Sequence, residues 1–180
     1  MICRNQNVTE DMKFREFIVA IVVALLLGGV IYLWFGGKAI DAKAPNVSMT
    51  LLDGEKIDLA SLRGHPVLID FWATSCPGCV AELPHLNALY KELKGRGFRL
   101  IGVAMYYDPE EQVRAMQKAR GIAYPIVLDT DGKIAKAFGD VQLTPTYFLI
   151  SPGGRVVYQK LGALDMQSLM AKLKPMLETP

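Results

Sequence analysis

Residues 67–86 read VLIDFWATSCPGCVAELPHL. The opening six residues are apolar apart from Asp70. A run that short and that continuous reads as a strand buried on both faces. From Pro77 the pattern changes. Leu83, Leu86, Leu89, Tyr90 and Leu93 recur at helical spacing and mark one broad apolar face of a helix from Pro77 to Leu93. Cys76 and Cys79 sit where the strand gives way to the helix. The stretch is thus a strand–turn–helix unit with a thiol pair at its turn. The pair could be a metal clamp, a structural staple or a redox centre.

A structural zinc site needs about four ligands. The chain has three cysteines, Cys3, Cys76 and Cys79, and two histidines, His65 and His85, with no second Cys-x-x-Cys. The paired Cys/His spacing of zinc modules is missing, and both histidines read as surface or turn residues. A staple fares no better, because closing so short a loop removes little chain entropy. The redox reading uses every residue of the motif. Cys76 falls at the helix N-terminus, where unpaired N–H groups and the helix dipole favour a thiolate. Pro77 suits the first turn, since its missing N–H costs nothing there. Gly78 leaves room for another chain to approach. Cys79 falls inside the first turn, better shielded and near enough to resolve a mixed disulfide. Cys3 reads as an incidental thiol.

Outward from this unit, strands and helices alternate. The stretch VSMTLLDGEKIDLASL (47–62) carries Asp53-Gly54 between apolar segments, a hairpin signal. FRLIGVAM (98–105) is a second buried strand. PEEQVRAMQKARG (109–121) opens on Pro and two Glu and closes on Gly, as a helix should. Tyr106 and Tyr107, just before it, read as loop packing in preference to a substrate platform. YPIVLD is a short strand and DGKIAKAFG a short helix. PTYFLIS and RVVYQKLG, joined by Ser151-Pro152-Gly153-Gly154, form a strand–turn–strand hairpin, and DMQSLMAKLKPMLE is an amphipathic helix. This order implies an α/β domain with a mixed central sheet flanked by helices.

The N-terminal region is different. Phe17 to Phe35 is 19 residues without a charge. At ~1.5 Å per residue it spans roughly 28 Å, about the hydrocarbon thickness of a bilayer. Tyr32 and Trp34 near its end suit the interface. It is longer than a signal-peptide core of about 7–15 residues, and is expected to be an uncleaved transmembrane helix. Arg4, Lys13 and Arg15 precede the span and Lys38 and Lys43 follow it. This bias of three to two is slight; the short head is the easier piece to leave in the cytoplasm, so the domain is expected outside the inner membrane, on the periplasmic side. The expected organisation is a head at 1–16, an anchor at 17–35, a linker at 36–44 and a domain at 45–180. The net charge of +2 leaves no electrostatic footprint for nucleic acid and no basic stripe for a membrane surface.

VLIDFWATSCPGC resembles the thioredoxin active-site segment. CVAELPHL, the hairpin before it, TPTYFLI and the apolar N-terminal span resemble the membrane-tethered TlpA/ResA branch, which includes extracytoplasmic thiol–disulfide oxidoreductases of cytochrome c maturation. The resemblance covers roughly Pro45 to the C-terminus. It implies a thioredoxin fold with an N-terminal β-hairpin extension, and a reaction that reduces disulfides in partner proteins. It implies that Pro145, after Thr144, is a cis-proline beside the disulfide, forming the substrate site with Pro77 and Gly78. Trp72 could flank the cysteine mouth, as in thioredoxins, or only pack the core. Asp70 matches the acidic position of thioredoxin, a proton acceptor for Cys79; a lone buried carboxyl tends to keep its proton. Glu82, one helical turn after Cys79, matches the family's glutamate and is expected to manage protons or touch the partner. Pro77-Gly78 departs from the Gly-Pro of thioredoxin itself.

Two rivals share the fold. Peroxiredoxins carry Pro-x-x-x-Thr-x-x-Cys, and counting back from either cysteine here finds neither the proline nor the threonine. Thioredoxin-fold copper carriers use Cys-x-x-x-Cys with a distant histidine, which is also missing. No cofactor is expected. The chain has no nicotinamide or flavin motif, so its electrons must come from a membrane donor protein. The expected partner is a disulfide-containing protein, apocytochrome c for example.

Overall fold

A computed structural model of the protein describes residues 42–178, together with Ile21 and Val23. The chain divides into two compact units, Met1–Ala39 and Ile40–Pro180. In the first, Ile21 and Val23 are helical and exposed. The rest of the expected head and anchor, and residues 36–41 of the expected linker, lie outside the described residues. Among the described residues no helix is long and apolar enough to cross a membrane.

The second unit runs β1 (Ala42–Lys43), β2 (Ser48–Thr50), β3 (Lys56–Asp58), β4 (Val67–Trp72), α1 (Pro77–Leu93), β5 (Arg99–Ala104), α2 (Glu110–Arg120), β6 (Ile126–Leu128), α3 (Lys133–Ala137), β7 (Thr146–Ile150), β8 (Arg155–Leu161) and α4 (Met166–Glu178). Six strands form one sheet in the order β1-β8-β7-β4-β5-β6, and β2 and β3 form a separate hairpin. β4 pairs in parallel with β5, and β5 with β6, whereas β7 runs antiparallel to β4 and β8 to β7. This is the mixed sheet that the alternating elements predicted. The hairpin turns at Asp53-Gly54 as expected. Gly54 has φ +92°, a backbone state that a residue with a Cβ adopts only at a cost.

The buried run around Asp70 is β4, and no residue in it is exposed. Its pleat divides the core. Leu68 and Trp72 pack with Leu83 and Leu86 of α1 and Leu169 and Leu173 of α4. Val67, Ile69 and Phe71 turn the other way, toward Phe138 and Phe148, whose rings stand tilted or edge-on to one another and to Phe71 at 5.0–5.8 Å. Because β4, β5 and β6 are parallel, their C-terminal ends share one end of the sheet. α1 begins there, directly after β4. β7 begins there too, since Phe71 pairs with Thr146.

One boundary differs from the expectation. Ala42 and Lys43, read as linker, pair with Val156 and Arg155 as an edge strand, and the Ala44 N–H donates to the Gly154 carbonyl at 2.9 Å. A short, polar, extended segment carries little hydrophobic pattern, so only the open edge of β8 reveals it as a strand. A fragment starting at residue 40 should fold cooperatively and stay soluble. One starting at residue 45 should lose about 1–2 kcal/mol of unfolding free energy, the scale of a few exposed backbone hydrogen bonds. Urea denaturation of the two fragments measures the difference, and equal midpoints would remove β1 from the stabilising structure.

Candidate active site

Cys76 and Cys79 form a disulfide with Cα atoms 5.3 Å apart. Cys76 is the N-cap of α1, and its sulfur accepts the Cys79 N–H at 3.1 Å. Pro77 occupies the first helical position. The two sulfurs are inequivalent: Cys76 is half-buried and Cys79 is 2% exposed. The loop before them is clamped. Thr74 donates its N–H and its hydroxyl to the buried Asp108 carboxylate, at 2.7 and 2.5 Å. Asp108 follows β5, far away in sequence, and its role was not legible in the linear pattern. The one local sign is an acid directly before a helix-starting proline.

Thr144 and Pro145 meet this loop. Their peptide bond is cis, as the resemblance implied. A Cβ on Gly78 would lie 3.8 Å from Pro145 Cδ. Pro77 and Gly78 are exposed, Thr144 is half-buried and Pro145 is buried. These four residues therefore form one patch. Among the described residues of the second unit, the exposed large apolar side chains are Tyr106, Tyr107, Leu143 and Leu161. Tyr106 and Tyr107 follow β5, Leu143 precedes Thr144, and Leu161 pairs with Thr146 at the start of β7, so all four lie at the disulfide end of the sheet. Tyr106 and Tyr107 are 57% and 46% exposed, with rings edge-on at 5.2 Å. They pack on each other and face solvent, which corrects their reading as loop packing. Nothing in the local pattern marked Leu143 and Leu161.

Beneath the disulfide lies a buried polar row. Asp70 is 1% exposed and pairs with Gly102 on one side and Tyr147 on the other. Gly102 is required there. A Cβ would come within 3.0 Å of the Tyr124 ring and 3.1 Å of Trp72 Nε1. Asp70 Oδ1, Trp72 Nε1 and the Tyr124 and Tyr147 hydroxyls have no protein hydrogen-bond partner among the described residues. Burial pushes the Asp70 carboxyl up to about 8, and the charge of Glu82 adds to the shift. Burial also raises the Tyr124 and Tyr147 hydroxyls above the ordinary tyrosine range, with the Asp70 charge contributing to both. Glu82 is half-buried and faces His85 Nδ1 at 3.3 Å. Asp70 and Glu82 are therefore an interacting carboxyl pair, brought together by β4 and α1. Trp72 is wholly buried in this oxidised form. Its reading as a substrate contact gives way to core packing, because the pleat of β4 turns it toward α1 and α4.

A mixed sheet with a Cys-x-x-Cys disulfide at a helix N-cap, a neighbouring cis-proline and a buried acid below is the architecture of a thioredoxin-fold redox protein. The Redoxin family model matches residues 39–173. Over 174 residues the chain is 31% identical to the thiol-disulfide oxidoreductase ResA of Bacillus cereus, covering 91% of this chain and 98% of that one. To ResA of Bacillus subtilis it is 33% identical, covering 91% and 96%. Among solved structures, the thiol:disulfide interchange protein of Chlorobium tepidum superposes with a TM-score of 0.69 at 29% identity, over 78% of this chain and 99% of that one. StoA of Bacillus subtilis superposes at 0.62 with 26% identity, over 72% and 97%. The chain belongs to the Redoxin family, as a TlpA/ResA-like member of the thioredoxin superfamily. It is a thiol–disulfide oxidoreductase.

The raised Asp70 pKa has a signed consequence. Its folded value of about 8 lies above the ordinary aspartate value of 3.8. The native state therefore keeps a proton that the unfolded chain releases, and stability should fall as pH rises from about 4 through about 8. Asp70→Asn should abolish that fall. At pH 9 it should raise the unfolding free energy by on the order of 3 kcal/mol, with about 6 kcal/mol as the ceiling set by the shift. Denaturation of both oxidised proteins at pH 5 and pH 9 tests this; the same gap at both values would mean that Asp70 titrates normally. Glu82→Gln should lower the Asp70 pKa, read from the carboxyl carbon by NMR.

Proposed function

We propose that this protein is anchored in the inner membrane by residues 17–35 and reduces disulfides of partner proteins on the extracytoplasmic side, apocytochrome c among them. The observation that carries the reading is the asymmetry of the pair: a half-buried cysteine at a helix N-cap and a buried one within the first turn of that helix. The length and apolarity of residues 17–35 support the anchor, and so does the ResA match. That match covers 91% of the chain and so extends beyond the domain into the N-terminal segment. The likeness to ResA supports thiol–disulfide exchange, and the resemblance of the motifs to the TlpA/ResA branch is the ground for the reductive direction and cytochrome c maturation.

The chemistry follows from the geometry. In the reduced protein Cys76 is the thiolate, stabilised by the first N–H groups of α1. It attacks one sulfur of the substrate disulfide and displaces the other as a thiolate. Cys79 loses its proton to Asp70 and attacks Cys76 Sγ, releasing the second substrate sulfur and closing the 76–79 disulfide. Two electrons pass to the substrate. A dithiol membrane protein is the donor this reading calls for, since the sequence carries no nicotinamide or flavin motif. The raised Asp70 pKa suits a group that takes a thiol proton near neutral pH. Glu82 holds that pKa up while it is charged. The substrate backbone lies along Thr144 and Pro145, above Gly78, and the apolar side chains at this end of the sheet hold the partner.

The reduction potential of the 76–79 couple is the first test. A value well below about −200 mV fits a reductant, and a value near about −120 mV would make the protein an oxidant. Cys76→Ser should abolish exchange, and Cys79→Ser should accumulate mixed disulfides through Cys76. Iodoacetamide at low pH should label Cys76 of the reduced protein first; faster labelling of Cys79 would reverse the two roles. Leu143→Glu should raise KM for a protein disulfide roughly tenfold, the scale of one lost apolar contact. It should leave the rate with a small aromatic disulfide unchanged.

A further inference from the structure

The sequence has no basic stripe, yet folding assembles a basic end. β4 and β5 start, and β7 ends, at the end of the sheet remote from the disulfide. Lys43 lies opposite Arg155 in the β1–β8 pair. Arg63 packs over the adjoining turn, where a Cβ on Gly154 would lie 3.1 Å from its Nε. The next residue, Gly64, donates its N–H to the Pro152 carbonyl at 2.9 Å. His65 lies beside Gly97, where a Cβ would stand 3.1 Å from its Nδ1. Arg99 donates its N–H to the Pro66 carbonyl at 2.9 Å. Its guanidinium donates to the Phe98 and Lys94 carbonyls, and Arg96 shares the short turn Lys94–Arg96.

Cations from four separate stretches of chain are thus gathered on one surface. Lys43, Arg63, Lys94, Arg96 and Arg155 are exposed. Among the described residues, no carboxylate lies within ion-pairing distance of Lys43, Arg63, Lys94, Arg96 or Arg99. Glu92, near the close of α1, faces the groove between α1 and α4. A cleft of about 310 Å³ opens on the surface, with Lys43, Arg63 and His65 on its walls. It is a hollow of headgroup size.

The domain's first strand also lies near this end: Ala42 and Lys43 pair with Val156 and Arg155, and β1 runs toward it. Only residues 36–41 separate β1 from the apolar segment 17–35, a reach of at most about 25 Å. The disulfide lies at the other end of β4, roughly 20 Å further along the strand. We propose that the basic end of the domain docks on the anionic phospholipid headgroups of the bilayer that tethers it, presenting Cys76 away from the membrane. The proposal rests on the anchor reading above. The tether supplies a high local concentration of lipid, so modest attraction per cation is enough. An exposed Lys or Arg near an anionic surface strengthens binding about fivefold.

The test uses the full chain reconstituted in vesicles of phosphatidylcholine alone or with phosphatidylglycerol, probed by lysine acetylation and mass spectrometry. Docking predicts that phosphatidylglycerol lowers acetylation of Lys43 and Lys94 about fivefold. Lys133 and Lys136, at the disulfide end, serve as unchanged controls. Protection should vanish in about 1 M salt, where the Debye length falls to about 3 Å. The double variant Arg63→Glu, Arg96→Glu should also lose it while its disulfide exchange in detergent stays normal. Equal acetylation in both vesicles would overturn the docking and leave the anchor intact. Release of the chain by alkaline carbonate would overturn the anchor and the docking with it. If polyglutamate protects Lys43 and Lys94 in phosphatidylcholine vesicles as well as phosphatidylglycerol does, the surface belongs to an acidic protein instead.

Discussion

Strand β4 is hydrogen-bonded along both edges, in parallel to β5 and antiparallel to β7, with every residue from Val67 to Phe71 in register with both neighbours. A one-residue slip would exchange its two faces. Trp72 and Leu68 would leave α1 and α4, and Phe71 would lose Phe138 and Phe148. That register also fixes the site. It ends β4 where α1 must begin, which places Cys76 at the N-cap. It brings Thr146, and so Pro145, across from the end of β4. It sets Asp70 between Gly102 and Tyr147.

Asp70 works against the stability of the strand that holds it. A carboxyl with an unsatisfied oxygen in a dry interior keeps its proton or destabilises the fold. Its surroundings relieve this only partly. The Tyr124 and Tyr147 hydroxyls and the Trp72 indole add polarity to the same region without completing any hydrogen bond among themselves. Charge on Glu82 adds to the cost. Such an arrangement contributes nothing to packing that a leucine would not. Its use is chemical, because it keeps a proton acceptor poised near neutral pH beside a buried sulfur.

The two ends of the sheet have opposite characters. At the C-terminal ends of the parallel strands are the disulfide and the exposed side chains of Tyr106, Tyr107, Leu143 and Leu161. At the other end are Lys43, Arg63, Lys94, Arg96, Arg99 and Arg155. Net charge conceals this, since the acids and bases nearly cancel over the chain. Strand direction produces it. Loops at one end of a parallel sheet all lead out of strands, and those at the other all lead in, so residues distant in sequence collect by end.

Much of this was legible in the sequence, because it depends on local physics. The apolar run 67–72, the period of Leu83, Leu86 and Leu89, the Asp53-Gly54 turn and the placing of Pro77 after Cys76 follow from pleat, helical repeat and backbone freedom. They carry the α/β order, the thiol pair and which cysteine caps the helix. Tertiary structure alone decided what depends on register and end. Ala42–Lys43 becomes a strand because β8 has an open edge. Trp72 is core because of the side to which the pleat turns it. Tyr147 stands beside Asp70, Asp108 clamps Thr74, and the cations share one surface because sheet pairing joins residues that no sequence spacing relates.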